Sequence, residues 1–471
     1  MNKILINTFF LFFVILFFSS SCKETKKEEN TTQTPQETTL DLPGSFNYHI
    51  ACRTDQTQSY TAYFPVSYKP GVAFPVIIVF DAHARSKIAA NKFKQIADEF
   101  SYLVIVSNNA KNGLKTINQT INALFDDVFQ RFNIDTRRVY TAGFSGGARI
   151  ASSIAINKGG IAGVLAVAGG LPQVGQKVSH KFDFAAIVGI DDFNYQELKA
   201  LDKQMESLHF PHSLIIAQNG HEWPNSKVLH SAVSWLEIQA MKRADIPVND
   251  NLIRNYSQQM ADSINSLVLK NKLYDAKKLY EQFLSTLDDL YDISDFQKSY
   301  SELLKNPELK KQEQQTEGLA KKEAEKQQLY ISLFKAQSFS KISNEINELN
   351  TGFKAKNEFK KHSAKRLLNY TSMLSYIFTD NTLKSGDLNL TAKYLDIYKK
   401  VDKDNPDYYY FEACVSATHK KTDSAIKNLQ KAVEFGFFDT EKLETESCFN
   451  EIRKSDEFKT IIAKATENFE N

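Results

Sequence analysis

The run Arg138-Val139-Tyr140-Thr141-Ala142-Gly143-Phe144-Ser145-Gly146-Gly147-Ala148-Arg149-Ile150-Ala151 constrains the first half of the chain more than any other stretch. It reads as a strand, a forced sharp turn and a helix built around one serine. In a Gly-x-Ser-x-Gly turn the serine is strained, and a side chain two residues either way would collide with the neighbouring strand or helix. Gly143 and Gly147 occupy those two places. Ala148 to Ile156 is small and apolar enough to start a buried helix, whose N-terminal amides and dipole point back at Ser145. Ordinary strand-to-helix turns also match this pattern; the flanking β-rich strand and alanine-rich helix make it a nucleophile elbow, with the Gly146 amide as an oxyanion donor.

Around this elbow, Pro43 to about Arg243 alternates strand-like and helix-like segments. Tyr48–Arg53 and Tyr60–Val66 read as an opening antiparallel pair. Pro75–Phe80 is a continuous β-branched run of the kind buried on both faces of a parallel sheet. Lys87–Glu99 is helical, Leu103–Val106 a strand and Thr116–Phe132 a helix; Arg138–Ala142 leads into the elbow. Ala162–Ala168, Phe184–Ile190 and Ser213–Ala217 follow as strands, and Ser226–Met241 as a helix with Trp235 at a core position. The alternation predicts a doubly wound, mostly parallel α/β sheet.

An acyl-transfer serine needs a histidine to take its proton and a carboxylate to hold that imidazole in the right tautomer. In a sheet of this kind both sit on loops past the carboxyl ends of later strands. The strand ending at Ile190 runs into Asp191-Asp192-Phe193-Asn194-Tyr195, and the strand ending at Ala217 into Gln218-Asn219-Gly220-His221-Glu222-Trp223-Pro224. His221 is the expected base, since His209 and His212 precede their strand and His230 lies within a helix. Two carboxylates, Asp191 and Asp192, sit where the acid is wanted, and Asp191 also reads as a turn or cap residue. Phe193, Tyr195 and Trp223 are expected as an apolar rim, with ordinary packing as the other reading.

Together, Gly143-Phe144-Ser145-Gly146-Gly147, Gly189-x-x-Asp192 and Gly220-His221-x-Trp223-Pro224 resemble an α/β-hydrolase of the esterase and polyhydroxyalkanoate-depolymerase type, over about Pro43 to Arg243. The resemblance implies a Ser145–His221–Asp192 triad, no cofactor and no metal. It departs from the family at Phe80-Asp81-Ala82-His83-Ala84, where many esterases carry a glycine-rich oxyanion loop. A backbone amide at Ala82 or His83 supplies the second donor, and the His83 side chain is either a loop anchor or a substrate contact. The short polar stretch Gly170–Lys181 leaves no room for an inserted cap, which suits a bulky or polymeric ester unless another part of the chain roofs the site.

Upstream, Met1–Cys22 carries one lysine, an apolar run from Ile4 to Phe18 and Ser19-Ser20-Ser21-Cys22. The run is shorter than the roughly 20 residues of a spanning helix and resembles a bacterial lipoprotein signal, with Cys22 as the lipidated residue; the other reading is a plain secretory signal with an incidental cysteine. Residues 23–42 lack apolar periodicity and read as a disordered tether. The expected location is the cell envelope: an exported lipoprotein held to a membrane through Cys22, with the outer membrane and its surface as the expected site. A formal net charge of +2, from 58 basic and 56 acidic residues, gives no argument for nucleic acid. With Cys22 set aside, Cys52, Cys414 and Cys448 make no dense disulfide framework.

From about Ile246 to the end the composition turns to Lys, Glu, Leu, Tyr and Gln and predicts an all-α domain. Ala276, Leu279, Tyr280, Phe283, Leu284 and Leu287 form one apolar stripe. Residues 305–328 are charged on nearly all sides and read as a solvated helix or linker. Ala413, Ala425 and Ala432, with Tyr409 and Leu429, resemble a tetratricopeptide-like unit near 390–440, a possible surface for a protein partner. Three functions stay open at this level: a serine esterase, a serine peptidase using the same residues, and a helical-repeat scaffold whose hydrolase half binds without turnover.

Overall fold

The computed structural model describes residues 42–172, 180–354 and 357–470. The expected signal segment, Cys22, the tether through Asp41 and most of the Gly170–Lys181 loop lie outside the described residues.

The α/β half runs β1 (Phe46–Ala51), β2 (Ser59–Tyr63), β3 (Phe74–Asp81), α1 (Ser86–Phe100), β4 (Leu103–Ser107), α2 (Ile117–Arg131) and β5 (Ile134–Phe144). It continues with α3 (Gly146–Lys158), β6 (Gly163–Val167), β7 (Asp183–Gly189), α4 (Tyr195–Ser207), β8 (His212–Ala217) and α5 (Ser226–Lys242). The eight strands form one sheet in the order β1-β2-β4-β3-β5-β6-β7-β8. The β1–β2 and β2–β4 pairs are antiparallel and the rest parallel. This is the α/β-hydrolase fold. The central strands are covered on both faces, which is why β3, β4, β6 and β7 are buried along their whole length. In the register, Phe80 lies opposite Gly143 and Asp81 opposite Phe144, so the end of β3 stands beside the elbow.

Helix α4 has no counterpart among the segments the sequence predicts. Its apolar positions Leu198, Leu201 and Met205 are spaced three and four apart, but the strongly polar residues between them mask the stripe. It makes Tyr195 a first-turn helical residue instead of a loop residue.

The rest is helical: α6 (Asp250–Leu269), α7 (Leu273–Leu287), α8 (Ser294–Leu304), α9 (Pro307–Lys335), α10 (Phe339–Phe353) and α11 (Glu358–Lys384). Then come α12 (Leu388–Val401), α13 (Pro406–Thr418), α14 (Thr422–Glu434), α15 (Thr440–Thr445) and α16 (Asp456–Glu470). Among the described residues no helix is long and apolar enough to cross a membrane.

The change from α/β to all-α falls between α5 and α6, and the hydrophobic core does not stop there. One cluster runs from Val79, Phe144 and Trp235 in the α/β half through Tyr256 on α6 to Ala276, Phe283 and Leu287 on α7. The apolar stripe of α7 lies within this cluster, where its Phe283 and Tyr280 also meet Phe296 and Tyr300 of α8. Trp235 Nε1 donates to Thr286 Oγ1 at 3.1 Å, and Gln282 Nε2 to Ser213 Oγ at 2.6 Å.

Further on, the pair α13 and α14 packs with its small residues inward, Ala413, Ala425 and Ala432 being fully buried. The charged stretch 305–328 is not a linker. It lies in the 29-residue α9, and Glu323 within it is buried because Arg366 meets its carboxylate with two nitrogens, each at 2.7 Å. A charge is tolerated inside when it is paired and hydrogen-bonded.

Candidate active site

Ser145 joins β5 to α3 at φ 56°, ψ −117°, a conformation few non-glycine residues hold without a functional reason. The two flanking glycines make it possible. A Cβ on Gly143 would lie 2.3 Å from the carbonyl of Gly147, and a Cβ on Gly147 would lie 2.0 Å from the carbonyl oxygen of Phe80. The strained turn is pinned by the Ser145 amide, which donates to Val167 O at 2.8 Å. Ser145 thereby stands at the carboxyl edge of the sheet with the N-terminus of α3 beneath it.

Past β7 and β8 the other two residues converge on it. His221 Nε2 lies 2.9 Å from Ser145 Oγ, and His221 Nδ1 lies 3.0 Å from each oxygen of Asp192. Asp192 is fully buried, and its Oδ1 also accepts the Asn194 amide at 2.7 Å. Asn194 in turn donates to Ala168 O at 2.8 Å, which ties the acid loop to the end of β6. With the carboxylate on Nδ1, that nitrogen carries the proton and Nε2 is left free to accept one from the serine. Phe193 stacks on the imidazole at a centroid distance of 4.2 Å, and Phe144 lies 5.0 Å from it on a tilt.

Asp191 points elsewhere. Its two oxygens meet His362 Nδ1 and Lys365 Nζ of α11, both at 2.7 Å. Next to it, the Arg366 guanidinium lies 4.3 Å over the Tyr195 ring. Tyr195 is thus part of the packing between the two halves and not an open rim; burial pushes its phenol well above the usual value, with Arg366 pulling the other way.

Trp223 is also withdrawn from the rim. It is buried against Phe144 and Phe93, and its indole N–H donates to Asp81 Oδ2 at 2.8 Å, so only Phe193 of the three aromatics faces the imidazole.

On the oxyanion side, the His83 amide donates to Asp81 Oδ1 at 2.8 Å and is therefore engaged. That corrects its place among the oxyanion candidates and leaves Ala82 to accompany Gly146. The His83 ring meets Phe438 edge-on at 5.3 Å, and Arg85 lies 4.9 Å over the same Phe438 ring, which makes His83 a contact with the helical half. Lys87 pairs with Glu470 at 2.5 Å, and Lys111 pairs with Glu441. Helices therefore border the serine on two sides, at the acid loop and at the loop after β3.

Three groups escaped the sequence reading: Asp81, Asn112 and the polar face of α11. Asp81 had a signal, an acid closing the wholly apolar run Val76–Phe80. Asn112 had none beyond a turn-like Asn-Gly pair, yet its Oδ1 sits where a Cβ on Gly146 would be, and its amide donates to Ala82 O at 2.9 Å. His212 bonds Phe210 O at the start of β8 and His230 faces Glu99, both apart from the serine as expected. Among the described residues, no group of three or more His, Cys, Asp or Glu is placed to hold a metal ion.

A scan against protein-family models and a search of curated proteins return no match. Among solved structures, the chain is similar to an S-formylglutathione hydrolase from Staphylococcus aureus, at 14% identity and a TM-score of 0.33, over 41% of this chain and 99% of that one. It is similar also to esterase B from Lactobacillus rhamnosis, at 16% identity and a TM-score of 0.33, over 44% of this chain and 91% of that one. A third is dipeptidyl peptidase 4 from Porphyromonas gingivalis, at 15% identity and a TM-score of 0.30, over 38% of this chain and 32% of that one.

Proposed function

We propose that the chain is a serine hydrolase that cleaves carboxylic esters through an acyl-enzyme, with Ser145 as nucleophile, His221 as base and then acid, and Asp192 as orienter. The observation that carries this reading is the continuous relay from Asp192 through His221 to a serine held at φ 56°. Ser145 Oγ attacks the ester carbonyl while His221 Nε2 takes its proton. The carbonyl oxygen becomes an oxyanion that accepts the amides of Gly146 and Ala82, with the N-terminus of α3 adding its dipole. As the carbonyl re-forms, the bond to the alcohol breaks and the alcohol leaves with the proton from His221. Water then attacks the acyl-serine, gives a proton to His221, and the acid departs as Ser145 Oγ regains that proton. Asp192 keeps Nδ1 protonated throughout and balances the imidazolium charge.

A bulky or polymeric extracytoplasmic ester is the substrate class in this reading, and it rests on the sequence, where the stretch Gly170–Lys181 is too short for an inserted cap. Export, lipid attachment at Cys22 and an outer-membrane location belong to the same reading and rest on the sequence alone.

The test is labelling with a fluorophosphonate probe, beside a panel of chromogenic acyl esters and peptides. Ser145→Ala should abolish labelling and lower ester turnover by on the order of a million-fold. Unchanged labelling would place the nucleophile elsewhere. Faster turnover of the peptides would make the chain a peptidase, and neither labelling nor turnover of either class would make it a binding scaffold.

A further inference from the structure

One face of one helix holds the loop that carries Asp192. His362, Lys365, Arg366 and Asn369 fall at i, i+3, i+4 and i+7 of α11 and so share a face. All four bond the same two loop residues. His362 and Lys365 take the Asp191 carboxylate; Arg366 Nη1 donates to Ile190 O at 2.8 Å and Asn369 Nδ2 to Asp191 O at 2.9 Å. The Asp191 carbonyl shares its peptide plane with the Asp192 amide, which donates to Gly189 O at 3.0 Å, so the Asn369 bond fixes the plane from which the acid projects.

The support is itself rigid. Arg366 is locked onto the buried Glu323, and Ser363 Oγ and Gln196 Nε2 reach the same carboxylate at 2.9 and 3.1 Å. From α9, Gln327 Nε2 donates to Phe193 O at 3.3 Å. Of the four consecutive carbonyls from Ile190 to Phe193, three are taken by side chains of the helical half, and the fourth by the Tyr195 amide at 3.0 Å. A surface loop held only from the sheet side opens more readily than the strands it joins. An orienting carboxylate is intolerant of such play, because a displacement of about 1 Å from a distant change costs roughly a hundredfold in rate.

We propose that α11 is a positioning element of the reaction: Arg366 and Asn369 hold the loop so that the Asp192 carboxylate stays on His221 Nδ1. The inference rests on the reading of Asp192 as orienter. It gives the helical half a part in the chemistry of the α/β half, beyond any part in choosing substrates.

The experiment uses the full mature chain and the variant Asn369→Ala, since Asn369 is only half-buried, with Arg366→Lys as a second variant that keeps the charge on Glu323. Turnover of an activated ester and the rate of fluorophosphonate labelling should fall about ten- to a hundredfold with KM little changed; Asn369→Ala should keep a thermal midpoint close to that of the unmodified chain, whereas Arg366→Lys gives up a two-nitrogen pairing with Glu323 and should also melt lower. The low-field proton resonance of the His221 imidazole, which reports its bond to Asp192, should shift or broaden. In an Asp192→Asn background, Asn369→Ala should cause no further loss, because a group acting through that carboxylate has nothing left to act on. Unchanged kcat in both variants, or equal losses in both backgrounds, would overturn the proposal while leaving the triad in place. A fully active Asp192→Asn would overturn both, so the two failures are distinguishable.

Discussion

Trp223 donates its indole N–H to Asp81 Oδ2 at 2.8 Å across 142 residues of sequence, and this bond ties the loop carrying His221 to the loop carrying Ala82. Asp81 closes β3 and Trp223 follows β8, with β5, β6 and β7 between them in the sheet. The base loop therefore folds back over the end of β5, which is where Phe144 meets both the imidazole and the indole. One buried carboxylate sets the spacing between His221, the proposed proton acceptor, and Ala82, the proposed second oxyanion donor.

Trp223→Phe should keep the contacts with Phe93 and Phe144 but leave Asp81 Oδ2 buried without its partner. The expected cost is about 1–3 kcal/mol of stability, read by denaturant unfolding. Ester turnover should fall while KM stays nearly constant. A variant as stable and as fast as the parent would mean the indole only fills space.

The adjacent carboxylates Asp191 and Asp192 should separate sharply. Asp192→Asn favours the wrong imidazole tautomer and removes the charge facing the imidazolium, a change that costs about ten-thousand-fold in kcat. Asp191→Asn leaves the His221 contacts intact and loosens only the pairing with His362 and Lys365, so its loss should be far smaller. Steady-state kinetics on one activated ester compares them, and a more sensitive Asp191 would reverse the assignment.

What could be read in advance was whatever the chain enforces locally. The elbow needs Gly143 and Gly147 because backbone atoms crowd both places, and the fully buried strands need unbroken β-branched runs. Asp192 and His221 follow from where β7 and β8 end. Trp223 and Tyr195 were harder because an aromatic beside a catalytic loop looks the same in sequence whether it faces solvent or a partner far along the chain. Periodicity shows which side chains share a helix face and is silent on what that face meets. For that reason the reading of residues 305–328 as a solvated helix holds for most of the stretch but does not show Glu323, which is buried under Arg366, 43 residues away. The α11 face was missed likewise, its partners lying more than 170 residues back.

The shared core changes where the chain can be cut. A fragment ending at Arg243 would uncover the part of Trp235 that meets Thr286 and the core residues of the α/β half that cluster with α6 and α7. Exposed apolar patches of this kind drive association. A fragment of residues 42–304, which keeps α6 to α8, should therefore be soluble and cooperative in unfolding, whereas one of residues 42–243 should aggregate. The longer fragment lacks α11, so it should label slowly with the fluorophosphonate. Size-exclusion chromatography and thermal melts of both check the first point, and a monomeric, cooperative 42–243 would contradict it.

Acid stability should depend on Asp127. Tyr60 Oη donates to it at 2.6 Å, Arg131 Nε at 2.8 Å and the Arg53 amide at 3.0 Å, which ties β2 to α2. Burial pushes the carboxyl up, but the hydrogen bonds from Arg131, Tyr60 and Arg53 outweigh it and hold the pKa below the ordinary 3.8. A depressed carboxyl contributes stability that is present above 3.8 and lost as pH falls through the folded value. Asp127→Asn should cost about 1–3 kcal/mol at neutral pH, by the loss of charged partners for buried donors. The difference from the parent should shrink below pH 3.8, and a difference constant with pH would show that ionisation of Asp127 plays no part.

The oxyanion side offers the sharpest test of geometry, because Gly146 and Asn112 compete for one space. A Cβ at residue 146 would fall 1.7 Å from Asn112 Oδ1 and 2.8 Å from its Cγ, so Gly146→Ala must drive the Asn112 side chain away. The Asn112 backbone amide holds Ala82 O at 2.9 Å, so a displacement that reaches that backbone is passed to the other proposed donor. Gly146→Ala should therefore lower kcat by about a hundred- to a thousandfold, the size of effect seen when one oxyanion donor is lost, without raising KM. Adding Asn112→Ala removes the obstructing atoms while keeping the backbone amide that holds Ala82. The double variant should recover a large part of the lost turnover, although an alanine at 146 adds nothing to catalysis by itself. Kinetics of the two single variants and the double variant decide the matter. If the double variant is as slow as Gly146→Ala, the loss arises in the elbow backbone itself and not from contact with Asn112.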